Sequence, residues 1–221
     1  MTIFVAVFAP LTVGLGFWQI DRGAQKRAIE DARMASFGAL PIDETRLDDA
    51  PPYARVRVEG RYDGQHQFLV DNHTRHGLPG YVVITPFDSV GGRRLLVNRG
   101  WIEAPASRDE LPAVSVTDAD VRIVGSLWTA SATTKDSSVW DDRWPRRIEQ
   151  FDAERIGELV HATRPIEFRL EEDQPGSLEP IVLGEEMSST RHIGYAVQWF
   201  AMAVALVIAY VVLGIRRGRE A

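Results

Sequence analysis

Twenty residues without a single charge open this chain, and a second uncharged run of equal length nearly closes it: MTIFVAVFAPLTVGLGFWQI at 1–20 and AVQWFAMAVALVIAYVVLGI at 196–215. An α-helix rises ~1.5 Å per residue, so each run is long enough to cover the ~30 Å hydrocarbon core of a bilayer. Gln19 and Gln198 sit near one end of their runs, beside Trp18 and Trp199, where interfacial aromatics belong. A buried core helix is the rival for the second run, but RRGR directly after it suits a membrane span better. A cleaved signal peptide is the rival for the first. No basic leader or small-residue cleavage site supports that reading. Because the apolar run starts so abruptly, we expect the native start to lie upstream of Met1, which an intact mass would decide.

Orientation follows from the flanks. Arg216, Arg217 and Arg219 place the C-terminus in the cytoplasm, and two spans return the N-terminus to the same side. The stretch between them is then exported. Arg22, Lys26 and Arg27 pull the other way, but a long domain translocates largely regardless of its charge. The expected organisation is a transmembrane helix at 1–20, an exported α+β domain at 21–195, a transmembrane helix at 196–215 and a basic tail at 216–221. The middle segment holds 22 Lys and Arg against 30 Asp and Glu, a net charge of −8. With the whole chain at −6, an extended nucleic-acid surface is excluded as a reading, since such surfaces need clustered cations. Cysteine is absent, which removes disulfides, thiolate zinc sites, iron–sulfur clusters, a catalytic Cys and covalent c-type haem attachment.

Within the middle segment, residues 22–38 read as a helix running on from the first span, with Pro41, Pro51 and Pro52 punctuating its exit. YARVRVEGRY alternates with period two and reads as a strand. QFLVDN, YVVITPF, RRLLVNRGWI and VRIVGSLW read as further strands, separated by turns such as GLPG and GG. Residues 103–119 read as a polar loop and 129–147 as irregular. Asp152 caps a short helix reaching about Ala162, and PIEFRLEE is a last strand before the loop DQPGSLEP. The fold class is a membrane-anchored α+β protein: two transmembrane helices flanking an antiparallel, β-rich, barrel-like domain.

Familiar enzyme signatures are missing: the sequence has no H-E-x-x-H, G-x-S-x-G, Walker loop or G-x-G-x-x-G. His73 and His76 form an H-x-x-H in the turn NHTRHG, which reads either as a metal-binding pair lacking an evident third ligand or as a solvated polar turn. The informative residues cluster at the outer ends of the two spans. Trp18, Arg22 and Lys26 are spaced i, i+4, i+8, with Gln19 flanking them; His192, Tyr195 and Trp199 are spaced i, i+3, i+7, with Arg191 preceding the His. An imidazole can ligate haem iron, cations can pair with propionates, and indoles can lie against the macrocycle. The same residue types also suit an ordinary interfacial belt with snorkelling cations.

Four motifs in order carry a family resemblance. GFWQIDRGAQKR matches a G-x-W-Q-x-x-R-x-x-x-K stretch through Gly16, Trp18, Gln19, Arg22 and Lys26. LVDNHTRHGLPGYVVITPF resembles a central strand–turn–strand, and LVNRGWI carries N-R-G-W at Asn98, Arg99, Gly100 and Trp101. RHIGYAVQWF matches the H-x-x-Y-A-x-Q-W signature that opens the second span. Together they resemble the Surfeit locus protein 1 family, assembly factors for cytochrome c oxidase. The departures are the leader expected before the first span and the loop 103–119.

The resemblance implies a two-span protein of the bacterial inner membrane, with its domain periplasmic and both termini cytoplasmic. It implies no catalysis of its own and help in placing haem a into subunit I of the oxidase, with a haem a synthase as a further candidate partner beside the lipid bilayer. It implies haem a as a transient cofactor with His192 as the iron ligand. Read with the two stripes, Tyr195, Trp199, Trp18, Arg22, Lys26 and Arg191 are the expected companions of that haem. For Asn98–Trp101 the expectation is structural: Gly100 supplies an unusual backbone or close approach, and Trp101 packs the core. Two rivals stand beside this function. One is a cofactor-free scaffold that stabilises an oxidase subunit. The other is a membrane-anchored hydrolase using His66, His73 or His161, for which no nucleophile–base arrangement is visible. A copper chaperone is disfavoured, because Cys is absent and Met1, Met34, Met187 and Met202 are scattered.

Overall fold

A computed structural model describes residues 2–107, 110–128, 135–163, 166–181 and 189–220, the side chains of 189 and 217–220 excepted. Parts of the expected loop 103–119, the irregular stretch 129–147 and the start of the last strand, and the side chains of Arg217 and Arg219, lie outside the described residues. The chain divides into two units, residues 35–181 and residues 1–34 with 182–221.

The first unit is a small β-barrel with one helix. Its elements are β1 (Ile42–Asp43), a 3₁₀ turn at Glu44–Arg46, β2 (Arg55–Tyr62), β3 (Phe68–Arg75), β4 (Leu78–Ser89), β5 (Arg94–Glu103), β6 (Val121–Trp128), β7 (Arg146–Ile148), α2 (Ala153–Val160) and β8 (Glu167–Leu170). The longer strands are those that the alternation and the apolar runs indicate. β1 and β7 were not expected: at two and three residues they are too short to show a period, and they exist because β2 and β3 offer them edges.

Five strands close in the order β2-β6-β8-β5-β4, with β4 returning to β2 through Gly60↔Ser89 and Tyr62↔Phe87. All these pairings are antiparallel except β5 with β8. Closure removes the free edges that an open sheet would expose. Val56, Val58, Phe87, Val97, Ile123 and Phe168 belong to one buried cluster, drawn from all five barrel strands. Phe68, Ile84, Leu96, Ile148, Ile156 and Val160 form a second cluster, between the strands and α2. β4 and β5 contribute to both, which is why YVVITPF and RLLV read as nearly continuous apolar runs rather than alternating ones.

The N-R-G-W element is a structural clip. The β4–β5 register slips between Val83 and Ile84, which face Gly100 and Asn98, so Arg99 is the extra residue of a bulge. The bulge turns its guanidinium inward, to 3% exposure. There it donates to Gly176 O at 2.7 Å, Ser115 O at 2.9 Å and Gln67 Oε1 at 3.2 Å. Burial draws its pKa below the ordinary guanidinium value, yet it stays a cation at neutral pH. Trp101 is 8% exposed and its indole donates to His73 O at 2.8 Å, in keeping with the packing role expected of it.

The short helix α2 begins where expected: the Asp152 carboxylate accepts from Arg155 N at 3.1 Å, and the helix ends at His161 in the left-handed region, φ +56°. Asp136 holds the preceding stretch together. Burial alone would raise its pKa, but hydrogen bonds from Ser138, Trp140 and Gln150 outweigh that and hold it below the usual carboxylate value of 3.8. A depressed pKa means stability that is complete above about pH 5 and is lost progressively as pH falls below 3.8. Asp136→Asn is therefore expected to cost about 1–3 kcal/mol at pH 7. Thermal melts at pH 7 and pH 3 should show the gap to wild type narrowing at the lower pH.

The second unit holds α3 (Ser189–Glu220) and all but the last three residues of α1 (Thr2–Phe37). Both contain a stretch long and apolar enough to cross a membrane, and only 17% and 11% of those stretches is buried. So little burial is unlike the core helix of a soluble domain. α1 continues well past residue 20 as one helix, as the sequence of 22–38 indicates.

Candidate functional site

The two terminal helices pack through narrow seams. On α1 the buried or half-buried positions include Val5, Ala9, Thr12, Gly16, Gln19, Gly23 and Lys26, in alternating steps of four and three. On α3 they include His192, Ala196, Trp199, Ala203 and Leu206, with the same spacing. This 3.5-residue average is what keeps one stripe facing a partner helix. Gly16 makes the closest approach possible: a Cβ there would lie 2.7 Å from the Phe200 ring. Phe17 meets the same ring edge-on, with centroids 5.3 Å apart. Toward the other end of the pair, Tyr210 donates its hydroxyl proton to Thr2 Oγ1 at 3.4 Å. Gln19 against His192, Gly16 against Phe200 and Thr2 against Tyr210 define an antiparallel pair in register, and so bring Trp18, Gln19 and His192 to the same end.

At that end His192 Nδ1 lies 2.8 Å from Gln19 Oε1, and the residue is only 4% exposed. A carboxamide oxygen only accepts, so the contact is a hydrogen bond in the tautomer with its proton on Nδ1. Among the described residues the ring has no second hydrogen-bond partner, which leaves Nε2 as the nitrogen with a lone pair to give. The donor set thus fits an axial haem ligand, whose other ring nitrogen ordinarily donates to a fixed acceptor.

The remaining expected residues divide by helix face. Trp199 is half-buried on the α3 seam, two turns along from His192, and Lys26 is half-buried on the α1 seam. Trp18 is 56% and Tyr195 45% exposed, and Arg22 and Arg191 are exposed on the flanks. The Arg22 guanidinium donates to Gln25 Oε1 at 3.0 Å, and the Gln25 amide donates to Asp21 at 2.8 Å. Gln19 was seen in the sequence only as a flanking residue. Its partnership with His192 shows in the four-and-three spacing, which places residues 16, 19, 23 and 26 on one stripe.

The other histidines have local partners. His66 Nδ1 lies 2.7 Å from Asp63, which Arg94 also approaches at 3.5 Å, and the ring meets Trp144 edge-on at 4.9 Å. His76 Nε2 lies 3.2 Å from Glu179, and the backbone oxygen of His73 accepts from Trp101. Among the described residues no cluster of three or more His, Asp or Glu is placed to hold a metal ion.

These features define a class: a small closed barrel whose chain carries, at its two ends, antiparallel helices able to cross a membrane, with one buried imidazole held by a glutamine. Comparison with known proteins names the family. A family model described as "SURF1 family" matches residues 6–204, and the chain belongs to that family. It is 23% identical over 225 residues to a SURF1-like protein of Rickettsia felis, covering 95% of each chain. It is 25% identical over 241 residues to Surfeit locus protein 1 of Takifugu rubripes, covering 91% of this chain and 92% of that one. A SURF1-like protein of Dictyostelium discoideum is 31% identical over 127 residues, 48% of this chain and 44% of its own.

Proposed function

We propose that this protein is a non-enzymatic assembly factor for the haem–copper cytochrome c oxidase, which holds haem a as cargo and offers it to subunit I. The supporting observation is the His192–Gln19 contact, which leaves Nε2 as the nitrogen able to bind iron. In this reading His192 would hold the iron, Trp199, Tyr195 and Trp18 would supply aromatic surface to the haem, and Arg22, Lys26 and Arg191 would supply cations to its propionates. The helices cross the bacterial inner membrane with the barrel in the periplasm and both termini in the cytoplasm, an orientation supported by the cations after residue 215. A haem a synthase in the same membrane is the natural donor. The oxygen and electron chemistry belongs to the oxidase; this chain binds, orients and shields.

The test is a pyridine haemochrome spectrum of the full-length protein purified from membranes of cells that make haem a. Wild type should carry haem, and His192→Ala should carry about ten-fold less or none. Absence of haem from wild type, or equal haem in the variant, defeats the reading. A cofactor-free scaffold is the second reading, and the burial of His192 favours it: at 4% exposure, the ring is packed and hydrogen-bonded with no haem needed to hold it. Undiminished oxidase activity in cells carrying only His192→Ala would decide for the scaffold.

A further inference from the structure

We infer that Gln19 is the positioning residue for His192: it selects the ring tautomer and presents Nε2 as the iron-binding nitrogen. The inference deepens the haem-carrier reading and rests on it for its consequence, though not for its geometry.

Neutral imidazole exists in two tautomers, and only a nitrogen without a proton can bind a metal. In water the proton prefers Nε2, which is the wrong place for ligation through that atom. An acceptor fixed beside Nδ1 reverses the preference. Gln19 Oε1 is such an acceptor, 2.8 Å away. Gln19 sits on the packed stripe of α1, one turn beyond Gly16, whose missing side chain admits the Phe200 ring from α3. The spacing that makes the hydrogen bond is therefore set by helix packing rather than by the two side chains alone. Reversing the carboxamide would place an N–H₂ against Nδ1. That would force the proton to Nε2 and abolish ligation, so the orientation of one amide decides whether the site can hold iron.

Two measurements test this. First, ¹⁵N spectra of histidine-labelled, cofactor-free, full-length protein in detergent should show His192 protonated at Nδ1, its signals identified by their loss in His192→Ala. A proton on Nε2 overturns the inference, and this measurement needs no variant of Gln19. Second, hemin titration should give a dissociation constant about ten-fold or more weaker for Gln19→Leu. Gln19→Glu, which keeps an acceptor in place, should stay within about three-fold of wild type. Equal affinity for Gln19→Leu and wild type overturns the inference. If wild type binds no hemin, or His192→Ala binds it equally, the haem reading fails instead, and the tautomer measurement still decides for or against Gln19.

Discussion

Arg99→Leu is expected to destabilise the barrel by about 3 kcal/mol, lowering its melting temperature by about 10 °C. The guanidinium donates to acceptors in three separate segments, at Gln67, Ser115 and Gly176, so its loss unpins all three at once. Each bond from a charged donor is worth about 1.5–3 kcal/mol. Against this stands the desolvation of a buried cation that has no carboxylate partner among the described residues, a cost of several kcal/mol that the leucine would relieve. The bonds win because Gln67 stays buried and, among the described residues, its Oε1 keeps only the Thr85 hydroxyl, at 3.2 Å, once the charged donor is gone. The leucine also cannot fill the space that the guanidinium and the Tyr62 ring, 5.6 Å away, now share. Arg99→Lys should be nearly as damaging, since one ammonium cannot span three acceptors fixed for a planar fork. Thermal melting of the full-length protein in detergent, followed by tryptophan fluorescence, measures both. A loss under about 1 kcal/mol for Arg99→Leu would show that the three bonds are incidental.

What could be read from the residues depended on period and length. The alternation in RVRVEGRY fixes β2 because one face of it is core and the other solvent, and every second residue of β2 from Val56 is buried. β7 was invisible because RRI has no period of its own; Phe68–Val70 call it into the sheet. The site was half legible for a geometric reason. Steps of four residues advance an α-helix by about 40° more than a full turn, so Trp18, Arg22 and Lys26 drift by roughly 80° across the stripe. Lys26 therefore reaches the seam while Trp18 faces outward. Steps alternating four and three hold their heading, and that pattern contains Gln19. It was hard to see because its members, Ala9, Thr12, Gly16 and Gly23, are small rather than apolar and large, which is what close helix packing in lipid requires.

Gly100→Ala is expected to cost about 3–5 kcal/mol, from two causes that add. The residue has φ +112°, where a side chain is strained whatever the space around it. A Cβ there would also lie 2.4 Å from the backbone oxygen of Glu179, which cannot swing aside as the end of a side chain could. Glu179 O accepts from Trp101 N at 2.7 Å, and Leu178 N donates to Arg99 O at 2.7 Å, so the segment 178–179 is zipped to β5 on both sides of the glycine. The nearby Glu179 carboxylate pairs with Arg75 at 2.8 Å. An added methyl group must push this strap off the strand, freeing the bonds, the ion pair and one face of Trp101 together. Global melting and local opening then separate the two causes. Backbone strain alone would lower the melting temperature with amide protection at Trp101 and Leu178 intact, whereas the clash should make those two amides exchange far faster than the barrel as a whole unfolds. Wild-type protection at both amides in the variant, with an unchanged melting temperature, would mean that the strap yields freely and the glycine is dispensable.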